Sequence, residues 1–326
     1  MEPVSLDKKD QALLHQLYLD SRQSFVRLGK KLRLSNTAAE RRMRRLREEG
    51  AIQLLMADIN FHKLGLRSYR LYFKFDVMDE KMEKEVLEVF ERYPRTLWGV
   101  VCEGEYDVLW RIIAPDELEV ERAAYLMIEK FGSRIVERTV VTTTYQIYLS
   151  WNKALGCARA PEFPMEGISS VQKVDETDLR LLKALYADAR ASSVALAQEV
   201  GLSPDAVNYR IRRLVREKYI LGWTAWFDAK KLGFDYYKIL IAFRSATREK
   251  ERQFLRYCIS HDAVVFINKC IGSWDIEVDV LVRDTADLHA FVQDIKTRFG
   301  HIIGKHAYVA AIEERMLNPL RGELEK

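Results

Sequence analysis

The 326-residue sequence predicts an α+β chain made of two copies of one unit, each a three-helix head followed by a βαββαβ domain. Three observations carry this. Residue n matches residue n+168 without a gap from about residue 5 to residue 150, and over 7–52 against 175–220 there are 20 identities in 46 positions. Each copy opens on short segments of helical periodicity, each preceded by a capping residue. The rest of each copy alternates apolar strand-like runs with amphipathic stretches. Between the copies, 152–173 (NKALGCARAPEFPMEGISSVQK) holds two Pro and two Gly with little periodicity, and reads as a linker.

Within a head, Asp7 and Asp10, like Asp175 and Asp178, form a D-x-x-D start before the apolar positions 13, 14 and 17. The first carboxylate of each pair is expected to cap helix 1. Ser24 and Ser192 open helix 2, whose expected apolar face is Val26, Leu28 and Leu32, or Val194, Leu196 and Val200. Ser35 and Ser203 cap helix 3, with Pro204 at the first helical position, where a proline is tolerated. The apolar stripe of helix 3 is Ala39, Met43 and Leu46, or Val207, Ile211 and Leu214. The opposite face then displays Thr37, Arg41, Arg44, Arg45 and Glu48, or Asp205, Asn208, Tyr209, Arg212 and Arg213. Two helices joined by a short turn, the second exposing Arg, Asn and hydroxyl side chains, suit the major groove of double-stranded DNA. The candidate DNA contacts are therefore Ser35, Thr37, Arg41, Arg44 and Arg45, and Ser203, Asn208, Tyr209, Arg212 and Arg213. Arg42 and Arg210, at the edge of the stripe, suit a structural pair with Asp10 or Asp178 at least as well as a DNA contact. Residues 21–47 hold ten Lys/Arg and one acidic residue, against four and two over 189–215. The second head should accordingly bind backbone phosphate more weakly. The stretches 52–61 and 220–228 suit a wing or a connecting strand, making each head a winged helix-turn-helix.

The second half of each copy reads as a ferredoxin-like sandwich. In copy two the expected elements are strand 236–244, helix 248–260, strands 263–270 and 275–282, helix 286–299 and strand 303–312. In copy one they are strand 68–75, helix 80–92, strands 96–102 and 107–113, helix 117–131 and strand 135–149. One sheet face is left uncovered within the unit, and the other copy is the obvious candidate to cover an apolar surface there. Domain boundaries follow at 1–52, 53–151, 152–173, 174–220, 221–318 and a tail, 319–326. Gly104 and Gly272 permit tight strand–strand turns, with Asp107 and Asp275 starting the next strand. Phe131-Gly132 and Phe299-Gly300 look like helix ends with a left-handed glycine cap. Cys102 and Cys270 read as buried small apolar residues, and most of the six tryptophans as core or interface.

Composition excludes other classes. At 48% hydrophobic and 31% charged, the chain is neither disordered nor membrane-spanning, and its N-terminus lacks the pattern of a signal peptide. Cysteines 102, 157, 258 and 270 form no CxxC pair, and the six histidines show no ligand spacing. A cytoplasmic protein with no metal, no cofactor and no catalytic residues is expected. The net charge of +4 names no partner by itself.

The motifs LDxxDxxLLxxLYxDxR at 6–22, LSxxAxxxRxRRLxxE at 34–49, KLG at 63–65, GEYDV at 104–108 and GSWDI at 272–276 resemble the Lrp/AsnC family of transcriptional regulators. The resemblance covers nearly the whole chain, twice. It implies DNA binding through winged helix-turn-helix heads, and sensor domains that dimerise sheet to sheet. It also implies an amino acid or related effector near Gly104, Asp107, Gly272 and Asp275, and homo-oligomers, here a dimer of pseudo-dimers. The tandem fusion departs from the usual single unit, and Gly50 aligns with Lys218. Recognition helices that differ at Arg41/Tyr209, Glu40/Asn208 and Thr37/Asp205 predict an asymmetric operator rather than a palindrome. Siroheme decarboxylases resemble the same architecture and supply the alternative, an enzyme. Their His-Asn-Tyr-type signature is not found where this chain reads TLWGVVCEG and VVFINKCIG.

Overall fold

The computed structural model describes residues 2–149, 151, 155–156, 163–165 and 174–324; most of the expected linker, with Cys157, lies outside the described residues. The first head comprises α1 (Lys8–Leu19), α2 (Phe25–Leu32) and α3 (Asn36–Glu48). Strand β1 (Ile52–Ile59) follows, then β2 (Arg67–Phe75), α4 (Glu80–Arg92), β3 (Thr96–Gly104), β4 (Val108–Ala114), α5 (Glu117–Phe131) and β5 (Ile135–Tyr148). A short β6 (Phe163–Met165) precedes the second head, α6 (Glu176–Ala187), α7 (Ser193–Val200) and α8 (Pro204–Arg216). The second copy continues with β7 (Ile220–Phe227), β8 (Asp235–Phe243), α9 (Arg248–Ser260), β9 (Val264–Ile271), β10 (Ile276–Val282), α10 (Thr285–Phe299) and β11 (Ile303–Met316). Every element from α1 to β5 begins 168 residues before its counterpart, the offset read from the sequence.

The caps fall where the sequence places them. Asp7 closes a capping box with Asp10 on α1, Asp175 caps α6, and Ser24, Ser35, Ser192 and Ser203 each accept from the backbone N–H three residues on. Each such cap is worth about 1 kcal/mol. Leu13, Leu14, Leu17, Leu28, Ala39 and Leu46 are fully buried in head one, and Leu181, Leu182, Leu185, Val207 and Leu214 in head two. The expected face of helix 2 is corrected at one position. Val26 and Val194 are 62% and 56% exposed, and Gly29 and Ala197 are buried instead. Two residues span about 200° of helix, so Val26 and Leu28 cannot share a face.

The two sheets are not separate layers. Each has the expected four strands, but the last strand is long enough to serve both copies. Residues 135–143 of β5 pair with β2 and 142–148 with β9, while 303–310 of β11 pair with β8 and 309–316 with β3. The circuit β2-β4-β3-β11-β8-β10-β9-β5 returns to β2, an eight-stranded antiparallel barrel shared by both copies. Helices α4, α5, α9 and α10 cover its outside, packing Phe90 and Met127, or Phe254 and Ile295, onto the strands.

β1 and β7, which the sequence left open to a wing or a connecting role, pair with each other, antiparallel, as a two-stranded ribbon that connects the copies. Two further expectations are corrected. Gly132 and Gly300 lie at φ −56°, ordinary helical backbone, because the chain runs on through a tight turn instead of reversing at a left-handed cap. The C-terminal tail is partly core. Leu320 is fully buried against head two, and Asn318 donates to the Lys183 carbonyl.

Candidate nucleic-acid interface

Asp10, only 1% exposed, organises the first head. It accepts from Arg42 Nη1 at 2.8 Å, Arg45 Nη2 at 2.6 Å and its own cap's N–H at 3.1 Å; Arg42 also reaches Asp7 at 2.7 Å. Asp178 repeats this with Arg210 at 2.8 Å and with Arg213. The two carboxylates beside Arg42, Asp10 foremost, hold its guanidinium above the usual range. Asp7 is held below the usual carboxylate range, first by the Asp10 backbone N–H. A buried carboxylate needs such partners. The structure therefore gives Arg42 and Arg210 the structural role, and gives Arg45 and Arg213, expected as DNA contacts, the same internal partner.

The remaining candidates face outward. Ser35, Thr37, Arg41 and Arg44 are exposed on α3, as are Ser203, Tyr209 and Arg212 on α8. Arg44 lies only 3.8 Å from Glu40, a weak exposed pair. Asn208 is half-buried, and its Oδ1 accepts from Ser193 Oγ at 2.9 Å, which ties α8 to α7. Burial sharpens the charge difference between the heads. Over 21–47 the exposed basic residues are Arg27, Lys30, Lys31, Arg33, Arg41, Arg44 and Arg47; over 189–215 only Arg212 is exposed.

The heads are held in a fixed mutual pose by contacts that repeat with the copies exchanged. Arg22 donates to the carbonyls of Ala189 and Ala191, while Arg190 donates to those of Ser21 and Gln23 at 2.7 and 2.8 Å. The guanidinium of Arg22 stands 5.1 Å over Trp223, and that of Arg190 4.4 Å over Phe25. Burial lowers both guanidinium pKa values from their usual range. Backbone bonds follow the same exchange: Ser21 N to Trp223 O with Ala189 N to Leu55 O, and Asn60 N to Tyr219 O with Asp228 N to Ala51 O. Sequence reading did not single out Arg22 and Arg190, although both recur at the 168-residue offset.

The glycine turns sit where one copy meets the other. Gly104 has φ +129°, and a Cβ there would stand 2.3 Å from the Tyr308 carbonyl oxygen; Gly272, at φ +141°, is 2.8 Å from that of Val140 by the same measure. Only glycine suits these strand crossings. Asp107 accepts from Phe75 N at 2.8 Å and Lys74 Nζ at 2.7 Å, and Asp275 from Phe243 N at 2.7 Å, so both carboxylates brace neighbouring strands.

The inner face of the barrel differs most from expectation. Instead of a purely apolar seam it buries Arg70, Lys238, Asn268, Glu277 and Asp279. Lys238 bridges Glu277 at 3.1 Å and Asp279 at 2.5 Å, Arg70 lies 3.3 Å from Glu277, and Tyr72 donates to Glu277. Arg70 and Lys238 draw the Glu277 pKa down to about 2 against the cost of burial. The signal was present in the IEVDV run of β10, whose carboxylates alternate with apolar residues.

An AsnC-type helix-turn-helix domain model matches residues 6–47, and a winged helix-turn-helix DNA-binding model matches 174–220. The HTH-type transcriptional regulator AldR of Mycobacterium tuberculosis is 33% identical over 121 residues, 37% of this chain and 68% of that protein. An uncharacterized HTH-type transcriptional regulator of Pyrococcus horikoshii is 30% identical over 145 residues, 44% of this chain and 95% of that protein. The Bkd operon transcriptional regulator of Pseudomonas aeruginosa is 31% identical over 133 residues, 40% and 87% respectively. Among solved structures, the siroheme decarboxylase NirDL matches over 98% of this chain and 97% of its own, with a TM-score of 0.64 and 12% identity, a likeness of fold.

Proposed function

The chain belongs to the Lrp/AsnC family of DNA-binding transcriptional regulators, with two helix-turn-helix units in one polypeptide, and from that premise we propose that it acts as an intramolecular pseudo-dimer on an asymmetric operator. One observation carries the proposal: two heads locked in one pose present unequal surfaces, seven exposed cations over 21–47 against Arg212 over 189–215. Head one supplies most phosphate contacts, with Arg41 and Arg44 at the centre and Ser35 and Thr37 at the helix start. Head two reads its half-site through Tyr209 and Arg212, with Ser203 at the helix start. Arg45, Arg213 and Asn208 support the helices that carry these groups.

The test is fluorescence anisotropy of a promoter duplex across ionic strength. Each phosphate contact contributes about 0.9 to the slope of log affinity against log salt. Arg41→Ala with Arg44→Ala is expected to flatten that slope by about 2, and Arg212→Ala by at most about 1. Equal losses from the two heads, or recovery of a perfect palindrome from a randomised pool, would overturn the asymmetry.

Effector gating near Gly104, Asp107, Gly272 and Asp275 is part of the same reading, because these turns couple the two copies. Assembly into a dimer of pseudo-dimers is favoured by Val140 and Tyr308, equivalent positions that are 43% and 48% exposed. The second reading, a tetrapyrrole decarboxylase, rests on the full-length fold likeness to NirDL. Absent DNA binding together with a siroheme absorption band that stays with the protein through gel filtration would favour it.

A further inference from the structure

The pseudo-symmetry of the barrel is broken at one charged position. Lys238 and Asp279 face each other across β8 and β10 as a 2.5 Å ion pair. Their first-copy equivalents, paired in the same way across β2 and β4, are Arg70 and Arg111, two cations. Like charges directly opposite on a sheet repel, so the arrangement needs compensation. Arg70 obtains it from Glu277 of the other copy. Arg111 does not. Its Nε donates to Ser68 Oγ and its Nη2 to Gln146 Oε1, both at 2.9 Å, and no carboxylate lies within ion-pair distance among the described residues.

Arg111 instead lines a cavity with about 50 Å³ of free space, between the barrel and the head-connecting ribbon. Its walls include the aromatic rings of Tyr148, Tyr186, Trp226 and Phe266. One further donor on the cavity, Trp226 Nε1, lacks a partner and suits a carboxylate oxygen. A guanidinium with no carboxylate in ion-pair contact among the described residues, an orphaned donor and aromatic walls together describe a ligand site. We infer that this cavity binds a small carboxylate with an aromatic or apolar body, its carboxylate on Arg111. The site lies on the barrel's inner side, distinct from the glycine turns, and does not depend on how the heads meet DNA. Asp58 is the one other carboxylate beside Asp279 on the cavity wall among the described residues, and it competes with an incoming anion.

Titration calorimetry of the full chain with benzoate, and with benzamide as the neutral isostere, tests this. Benzoate is expected to bind and benzamide not to. Arg111→Met should weaken benzoate at least tenfold while leaving the melting temperature of the ligand-free protein unchanged or higher, because it removes a half-buried charge that no carboxylate contacts among the described residues. Asp58→Asn should tighten benzoate several-fold. Arg111→Lys guards against misfolding: it keeps the charge, loses the planar fork and should bind with intermediate affinity. No binding of benzoate, equal binding of benzamide, or undiminished binding by a folded Arg111→Met variant would each overturn the assignment. None of these outcomes bears on the anisotropy test of the DNA reading.

Discussion

Lys218 occupies the left-handed backbone region at φ +63°, where its first-copy equivalent is Gly50 at φ +82°; Arg33 does the same at φ +53° opposite Gly201 at φ +72°. Each head thus ends two helices in left-handed caps but spends a glycine on only one. A side chain in that region costs roughly 1–2 kcal/mol, partly offset by the lower backbone entropy of a non-glycine residue when unfolded. Lys218→Gly is therefore expected to stabilise the protein by about 0.5–1 kcal/mol, read as a raised urea midpoint with unchanged slope. A lowered midpoint would mean that the Lys218 side chain contributes more than its conformation costs. The glycine alignment shows this mismatch in the sequence, but only the backbone angles show that the chain keeps its left-handed turn despite it.

The elements joining the heads are the β1–β7 ribbon and the reciprocal arginines beside it. Their bonds are few beside the barrel's, and Arg22 and Arg190 each donate to two carbonyls of the opposite head. Arg22→Ala with Arg190→Ala should leave those carbonyls without protein donors and loosen the heads without melting the sheet. Amide hydrogen exchange is expected to speed up along 52–59 and 220–227 while β4 and β10 keep their protection. DNA affinity should fall as well, since a fixed pose has its ordering cost already met before binding. Uniform acceleration across the barrel would instead make the arginines part of one global unit. Neither arginine could be assigned this place from periodicity, because both bonds run to backbone carbonyls some 167–169 residues away.

Across the whole molecule, the two copies share one barrel, and strands β5 and β11 each belong to both. The chain connection between copies then matters little once folding is complete. Cutting the chain at a protease site inserted at 158–160 should leave the two halves associated through gel filtration in physiological buffer, and they should separate only on denaturation. Halves that part in native buffer would contradict a shared barrel.

Residue spacing alone reveals the duplication, its 168-residue register, the order of elements and the caps of all six head helices. These are local properties, set by periodicity and by side chains bonding to backbone a few residues away. It also told Arg41 and Arg44 from the apolar stripe of their helix. Long-range packing settles instead that β1 and β7 pair across copies, that β5 and β11 close a barrel, and that Arg45 and Arg213 reach buried carboxylates. It also leaves Arg111 with no carboxylate in ion-pair contact among the described residues. Those outcomes depend on which residues meet across long chain separations, and strand partners and ion-pair geometry are not encoded in the spacing of residues along one strand or helix.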